Sequence, residues 1–241
     1  PGPATGLPTW TEQGDLRFVM HAAQGEFPRI IAAPGDHEEC FYIAAQAFNW
    51  ADQYQMPVII LTDKFLAESY KTVLPFDARK VRIDRGQAVM SDAALRRNKD
   101  YRRYKVTGNG ISPRSVPGQK NGVYLANSDE HDEYGFSHEG SENRIAQMRK
   151  RAAKFALASR HIRGATLYGS PSAKTTVVSW GSTKGPILDA LAWLPKSKQR
   201  KINFLHLSVV WPFPSEYVHS VLRRSKHALL IENNSTAQLG G

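Results

Sequence analysis

Two short apolar runs, residues 29–33 (RIIAA) and 57–61 (PVIIL), constrain this chain more than any other feature. Each is too short for a helix and rich in β-branched residues, so each reads as a strand buried on both faces. Between them, Phe41, Ala44, Ala45, Phe48 and Ala51 recur at helical spacing across 37–55. Strand, helix, strand is a βαβ unit, which commits the chain to a parallel sheet with covered faces. A short helix is expected over 64–70.

The pattern returns later. Residues 175–180 (TTVVSW), 202–207 (INFLHL) and 227–231 (HALLI) read as strands, separated by helices over 184–194 and 214–224. A parallel sheet with right-handed crossovers follows. A long helix is expected from Ser141 to about Arg160, with Ser141 or Asn143 as cap, an apolar face and a basic one. Between the α/β sets, 72–140 alternates Gly, Pro and charges without a period, yet four tyrosines and the turn-rich 110–118 segment argue for order. It reads as an extended strap. The fold class is α/β, divided as 1–72, 73–165 and 166–241.

The 241 residues suffice for a buried core, and no apolar run approaches a membrane helix of roughly 18 residues. A single cysteine, Cys40, excludes an intrachain disulfide and a cysteine-held cluster, and favours a reducing cytoplasm. Its place in a helical pattern predicts a buried, unreactive thiol. The net charge of +10 is uneven: −5 over 1–72, +9 over 73–165 and +6 over 166–241. Such asymmetry points to anionic partners, including nucleic acid, a nucleotide-bearing cofactor or an acidic protein.

The opening residues, PGPATGLPTWTEQGDL, form a turn-rich loop that leads into a helix expected over 11–22. Thr9 and Glu12 fit a capping box. Small residues feeding a helix can offer amides and hydroxyls to an anion. Residues 180–185 (WGSTKG) read as a tight turn with Ser182 or Thr183 as N-cap. Glu130, His131, Asp132 and Glu133 are metal-ligand types, but helical HExxH spacing is missing and an ion-pair network is the simpler reading. The run 96–105 interleaves Arg and Lys with Tyr, as nucleic-acid contacts do, although no nucleic-acid-binding signature accompanies it.

The stretches GPATGLPT and EQGDL resemble the start motif of the alpha subunit of thiamine-diphosphate-dependent 2-oxoacid:ferredoxin oxidoreductases. Further matches follow in order: GEFPRIIAAPGD, AFNWADQYQMPVIILTDKFLAES, RIDRG, GISPRSVPG, EHDEYG, RKRAAKF, VVSWGSTKGPILDAL, VVWPFPSE and IENNSTAQLG. The resemblance implies that 1–72 is the C-terminal half of a pyrimidine-type thiamine-diphosphate domain. It makes 73–165 a strap and long helix, and 166–241 a transketolase C-terminal-like domain with a parallel sheet.

Family members convert a 2-oxoacid and coenzyme A to acyl-CoA and CO2 and reduce ferredoxin. The resemblance therefore implies a beta subunit carrying the diphosphate, Mg2+ and an iron–sulfur cluster, with ferredoxin as a further partner. By it, Thr5 and Gly6 lie near the cofactor and the substrate carboxylate, while Thr9, Glu12 and Gln13 shape that loop. Arg102, Arg103 and Arg114 would meet coenzyme A or a neighbouring subunit. No catalytic residue or metal ligand is expected here, because the family's activating glutamate and carboxylate-binding arginine are expected upstream of Pro1. The chain reads as truncated at both ends and inactive alone. Ala4 stands in place of the family's usual Ser, and Gln24 where many relatives have His. The competing reading is a non-catalytic basic α/β module that binds nucleic acid.

Overall fold

The computed structural model describes residues 10–86 and 88–241. Strand β1 (Ile30–Ala32) pairs in parallel with β2 (Val58–Ile60) across helix α2 (His37–Tyr54), which is the expected βαβ unit. Asp36 caps α2 by accepting from the Glu39 amide at 2.9 Å, and Gln55 ends it with φ of +51°. Helix α3 (Lys64–Glu68) is capped in the same way by Asp63.

The helix expected over 11–22 is shorter. Helix α1 spans Leu16–His21, and its N-cap Asp15 makes no side-chain cap bond, so the proposed capping box does not start it. Thr11–Gly14 is instead drawn out by tertiary bonds: the Gln13 amide donates to Asn233 O at 2.7 Å, and the Asn234 and Gln238 side chains donate to Gln13 O and Gly14 O. Local propensity yields to these partners.

The strap contains helix α4 (Asp92–Arg97) and a 3-10 turn, Ala78–Lys80. Its first part runs along α2 in the same direction. His37 Nε2 lies 3.0 Å from Ser69 O, Tyr42 OH accepts from the Asp77 amide, and Asn49 brackets the chain by donating to Arg82 O and accepting from the Asp84 amide. Its later part docks on α5 (Ser141–His161). Lys150 Nζ donates to Tyr104 O at 2.7 Å, and Lys154 Nζ to Gln55 O at 2.6 Å. Burial, aided by neighbouring cations, pulls these lysines down to about 7 and about 8. Gly110, at φ +78°, rests on the α5 backbone, and any Cβ would strike Lys150 O. The N-cap of α5 is Gly140, not Ser141 or Asn143; the Asn143 amide is spent on His131 O.

The acidic segment is an ion-pair network, as expected. Glu130 binds Arg151 and Arg144, and these hold its carboxyl at about 2 against the opposing effect of burial. The folded-state value lies below the usual 4.5, so this contribution is present above that pH and fades as pH falls toward 2. Glu130→Gln is expected to speed amide exchange in residues 130–138 about tenfold at neutral pH, since a charged hydrogen bond contributes about 1.5–3 kcal/mol. Hydrogen–deuterium exchange reads this directly.

A second sheet, ordered β3-β5-β4-β7, follows. Strands β4 (Thr175–Trp180), β5 (Ile202–Leu207) and β7 (His227–Ile231) are parallel, as expected. Two strands escaped the sequence reading. β3 (Ala165–Gly169) pairs antiparallel with β5, and β6 (Val209–Trp211) antiparallel with β1, so the sheets are parallel at their centres and mixed at their edges. Helices α6 (Lys184–Trp193), α7 (Lys196–Gln199) and α8 (Ser215–Leu222) complete the fold.

β1 serves two cores because successive side chains point to opposite faces. Ile30 and Ala32 pack with Tyr54, Met56, Ala158 and Ile162 of the α2–α5 side. Ile31 and Ala33 pack with Val178, Trp180, Leu205 and Leu207 of the second sheet. Among the described residues, no helix is long and apolar enough to cross a membrane.

Candidate active site

The carboxyl ends of β1, β2, β4 and β7 converge on a narrow cleft. Glu12, Gln13, Pro34, Asp63, Trp180 and Ser182 line it. Ligands of open α/β sheets bind at such strand ends.

Gln13 is the keystone and is 4% exposed. Its Nε2 donates to Trp180 O at 2.7 Å, and its Oε1 accepts from the Asn233 amide at 2.8 Å. Both bonding directions of the amide are used, so its orientation is set. Thr183 Oγ1 also donates to Trp180 O, at 2.7 Å, so Thr183 does not cap α6 through its side chain. Ser182 Oγ donates to Asp63 Oδ2 in a very short bond, while Asp63 Oδ1 caps α3, so one carboxylate joins β2 to β4. Behind Trp180, Glu232 accepts from Trp180 Nε1 at 3.1 Å and from the Leu239 and Gly240 amides. Glu12 and Asp15 line the cleft with carboxylates that have no ion-pair or hydrogen-bond partner among the described residues.

Beneath the cleft lies a polar seam. Lys184 Nζ donates to Asp36 Oδ2 at 2.6 Å and Glu39 Oε1 at 2.5 Å, with the lysine side chain 8% exposed. Burial opposes its charge, but the two carboxylates overcome burial and raise its pKa. Burial likewise opposes Asp36, and Lys184 brings its pKa below the usual value. His206 is fully buried; burial holds its imidazole below its usual pKa, and Nε2 lies 3.3 Å from Gly181 O. Gly35 sits between Lys184 and His206, whose atoms lie 2.6–2.8 Å from where a Cβ would be. Cys40 borders this acidic ground. Its thiol is only partly buried, not buried as expected; that burial and then Asp36, Glu39 and Asp63 push its pKa up, which favours the protonated form.

Of the sequence-derived site residues, Glu12 and Gln13 lie in the cleft, whereas Thr5, Gly6 and Thr9 lie outside the described residues. The arginines are elsewhere. Arg102 pairs with Asp100 and Glu133 at 2.6 Å each, Arg114 pairs with Asp52 at 3.0 Å, and Arg103 sits over the Tyr104 and Tyr124 rings. Asp63, Trp180, Glu232 and Asn233 were not singled out. Asp63 had one available signal, an acidic residue between a strand and a helix. Within the basic–aromatic run, Arg102 is answered by carboxylates and Arg103 by tyrosine rings, contacts that are internal to the fold.

Residues 1–150 match the family described as pyruvate flavodoxin/ferredoxin oxidoreductase, thiamine diP-bdg. The chain is 40% identical over 243 residues to 2-oxoacid:ferredoxin oxidoreductase 2, subunit alpha, of Aeropyrum pernix, covering 99% of this chain and 37% of that one. It is 38% identical to the 2-oxoacid:ferredoxin oxidoreductase subunit alpha of Saccharolobus solfataricus, covering 99% and 38%. The chain thus spans well under half the length of these relatives. Its fold matches the 2-oxoglutarate:ferredoxin oxidoreductase from Magnetococcus marinus, solved with 2-oxoglutarate, coenzyme A and succinyl-CoA bound. That match has a TM-score of 0.88 at 29% identity, covering 99% of this chain and 41% of the other. The α/β fold and the match over residues 1–150 agree: this chain belongs to the thiamine-diphosphate-binding pyruvate flavodoxin/ferredoxin oxidoreductase family.

Proposed function

We propose that this chain forms one wall of the active site of a 2-oxoacid:ferredoxin oxidoreductase alpha subunit. That enzyme would decarboxylate a 2-oxoacid oxidatively with coenzyme A to acyl-CoA and CO2, reduce ferredoxin, and work in the cytoplasm. The observation that carries the reading is the cleft at the strand ends, walled by the Gln13 clamp and by unpaired Glu12 and Asp15. No lysine or arginine lines this cleft, so it suits the polar aminopyrimidine end of thiamine diphosphate and not the diphosphate. The diphosphate, Mg2+ and an iron–sulfur cluster then fall to a beta subunit. When bound, thiamine diphosphate supplies the nucleophilic carbon that lets a 2-oxoacid lose CO2.

The chain's own residues position and exclude. Glu12 offers a hydrogen-bonding carboxylate to the ring, and Gln13 fixes the loop that carries it. Thr5 and Gly6 meet the cofactor and the substrate carboxylate, with Thr9 shaping their turn. Arg102, Arg103 and Arg114 contact coenzyme A or a neighbouring subunit; among them Arg103 has no carboxylate partner among the described residues. The division into 1–72, 73–165 and 166–241 belongs to the same proposal, with β6 stitching the third part to the first sheet.

Full-length alpha subunit co-expressed with its beta subunit is expected to reduce a viologen only when 2-oxoacid and coenzyme A are both present. Reduction independent of either one, or none with any 2-oxoacid, overturns the reading. In that complex Thr5→Val is expected to lower kcat/KM for 2-oxoacid at least about tenfold, the loss of one charge-assisted hydrogen bond. Steady-state kinetics equal to wild type would remove Thr5 from the site.

A further inference from the structure

A second cleft lies along α2. Its cavity volume is about 320 Å3, at the low end of the range of about 300–1,000 Å3 common for ligand pockets. Tyr42, Gln46 and Trp50 stand along it at helical spacing and form one wall. Lys80 and Arg82 come from the strap, held in place by the Asn49 bonds to Arg82 O and the Asp84 amide. Arg163 enters from the end of α5, beside Gly164, whose carbonyl accepts from the Ser208 and Val209 amides.

The charge of this cleft is of one sign. Several of the strap's other arginines are answered by carboxylates: Arg79 by Asp77, Arg85 and Arg114 by Asp52, Arg102 by Asp100 and Glu133. Among the described residues, the side chains of Lys80, Arg82 and Arg163 have no ion-pair or hydrogen-bond partner, and no carboxylate lines the cleft. Three like charges brought to one concavity repel each other unless an anion joins them. Beside them are flat aromatic faces, and Trp50 Nε1 is an unused donor.

We propose that this cleft binds a nucleoside diphosphate, with the base against Tyr42 and Trp50 and the phosphates on Lys80, Arg82 and Arg163. Aromatic faces accept any base by stacking, and guanidinium groups match phosphate oxygens in pairs. The ligand is either a free nucleotide or the phosphorylated ADP end of coenzyme A. The cleft is separate from the strand-end site, and its binding is measured without turnover, so it stands or falls apart from the proposed reaction.

Isothermal titration of ADP into the full-length alpha subunit, alone or in its complex, tests the assignment. Saturable one-site binding is expected, weakened at least about tenfold by Arg82→Gln combined with Arg163→Gln, and weakened separately by Trp50→Leu. Both variants are first shown to keep the wild-type unfolding midpoint; Lys80→Gln, at a fully exposed position, serves if they do not. Adenosine and pyrophosphate are each expected to bind more weakly than ADP. Competition by coenzyme A identifies the coenzyme as source and its absence identifies a free nucleotide; either upholds the site. No ADP binding up to millimolar concentration, affinity unchanged in the charge variants, or pyrophosphate binding as tightly as ADP overturns it.

Discussion

Lys184→Ala is expected to destabilise the protein by about 3 kcal/mol, measured by urea unfolding at neutral pH. The substitution leaves Asp36 and Glu39 facing each other in the seam without a cation, and breaking a buried pair costs about 3–5 kcal/mol. The carboxylates keep side-chain exposures of 20% and 22%, so the lower end of that range applies. Removing the whole set should cost less than removing half of it. Adding Asp36→Asn and Glu39→Gln to Lys184→Met, with the α2 cap kept by asparagine, is expected to recover most of the loss. The pH dependence has a definite sign. The folded pKa of Asp36 lies below its usual 3.8, so its contribution is present above that pH and is lost as pH falls through the folded value. That of Lys184 lies above its usual 10.5, so its contribution is complete below that value and fades only in strong alkali. The gap between wild type and Lys184→Ala should therefore be flat from about pH 5 to 9 and narrow in acid. A loss below about 1 kcal/mol, or no recovery in the triple variant, would show that the seam is not held by this cluster.

Gln13→Ala should act on the strand-end cleft itself. It strips the Asn233 amide of its partner and leaves Trp180 O only the Thr183 hydroxyl as side-chain donor; an unsatisfied buried group costs about 1–3 kcal/mol. Water from the cleft can replace part of this, so a stability loss of about 2 kcal/mol is expected. Activity of the assembled enzyme should fall further, at least about tenfold in kcat/KM, because the loop bearing Glu12 loses its anchor. Gln13→Glu separates the two bonds. It keeps an acceptor for Asn233 but sets a carboxylate oxygen against the Trp180 carbonyl, and it should be no better than alanine. Equal activity of both variants and wild type would exclude Gln13 from any positioning role.

The periodic elements were legible in advance because their signals are local. Runs such as PVIIL and TTVVSW have no helical alternative at that length, and the apolar spacing from Phe41 to Ala51 marks α2 within its own segment. β3 and β6 were missed for a physical reason: ATLYG and VVW are short edge segments whose strand character comes from pairing with β5 and β1. Helix α1 was overextended because its true start depends on Asn233, Asn234 and Gln238, more than two hundred residues away. The arginines illustrate the same limit. Arg102 and Arg114 looked available for an anionic partner, yet each is answered by a carboxylate remote in sequence. Lys80 and Arg163 carry no local signal and Arg82 only its place in RIDRG, and the fold leaves all three around a cavity without a carboxylate partner among the described residues.

By itself, then, the amino-acid order determined the α/β class, the βαβ unit and the family resemblance, since all of these rest on short-range patterns. Only the tertiary structure decided that Gln13 clamps two strands, that Lys184 neutralises two carboxylates across a seam, and which cations remain free. Those are properties of pairs. A side chain's charge or hydrogen-bonding capacity is written in the chain, but whether it is spent is settled by what folding brings within about 3 Å of it.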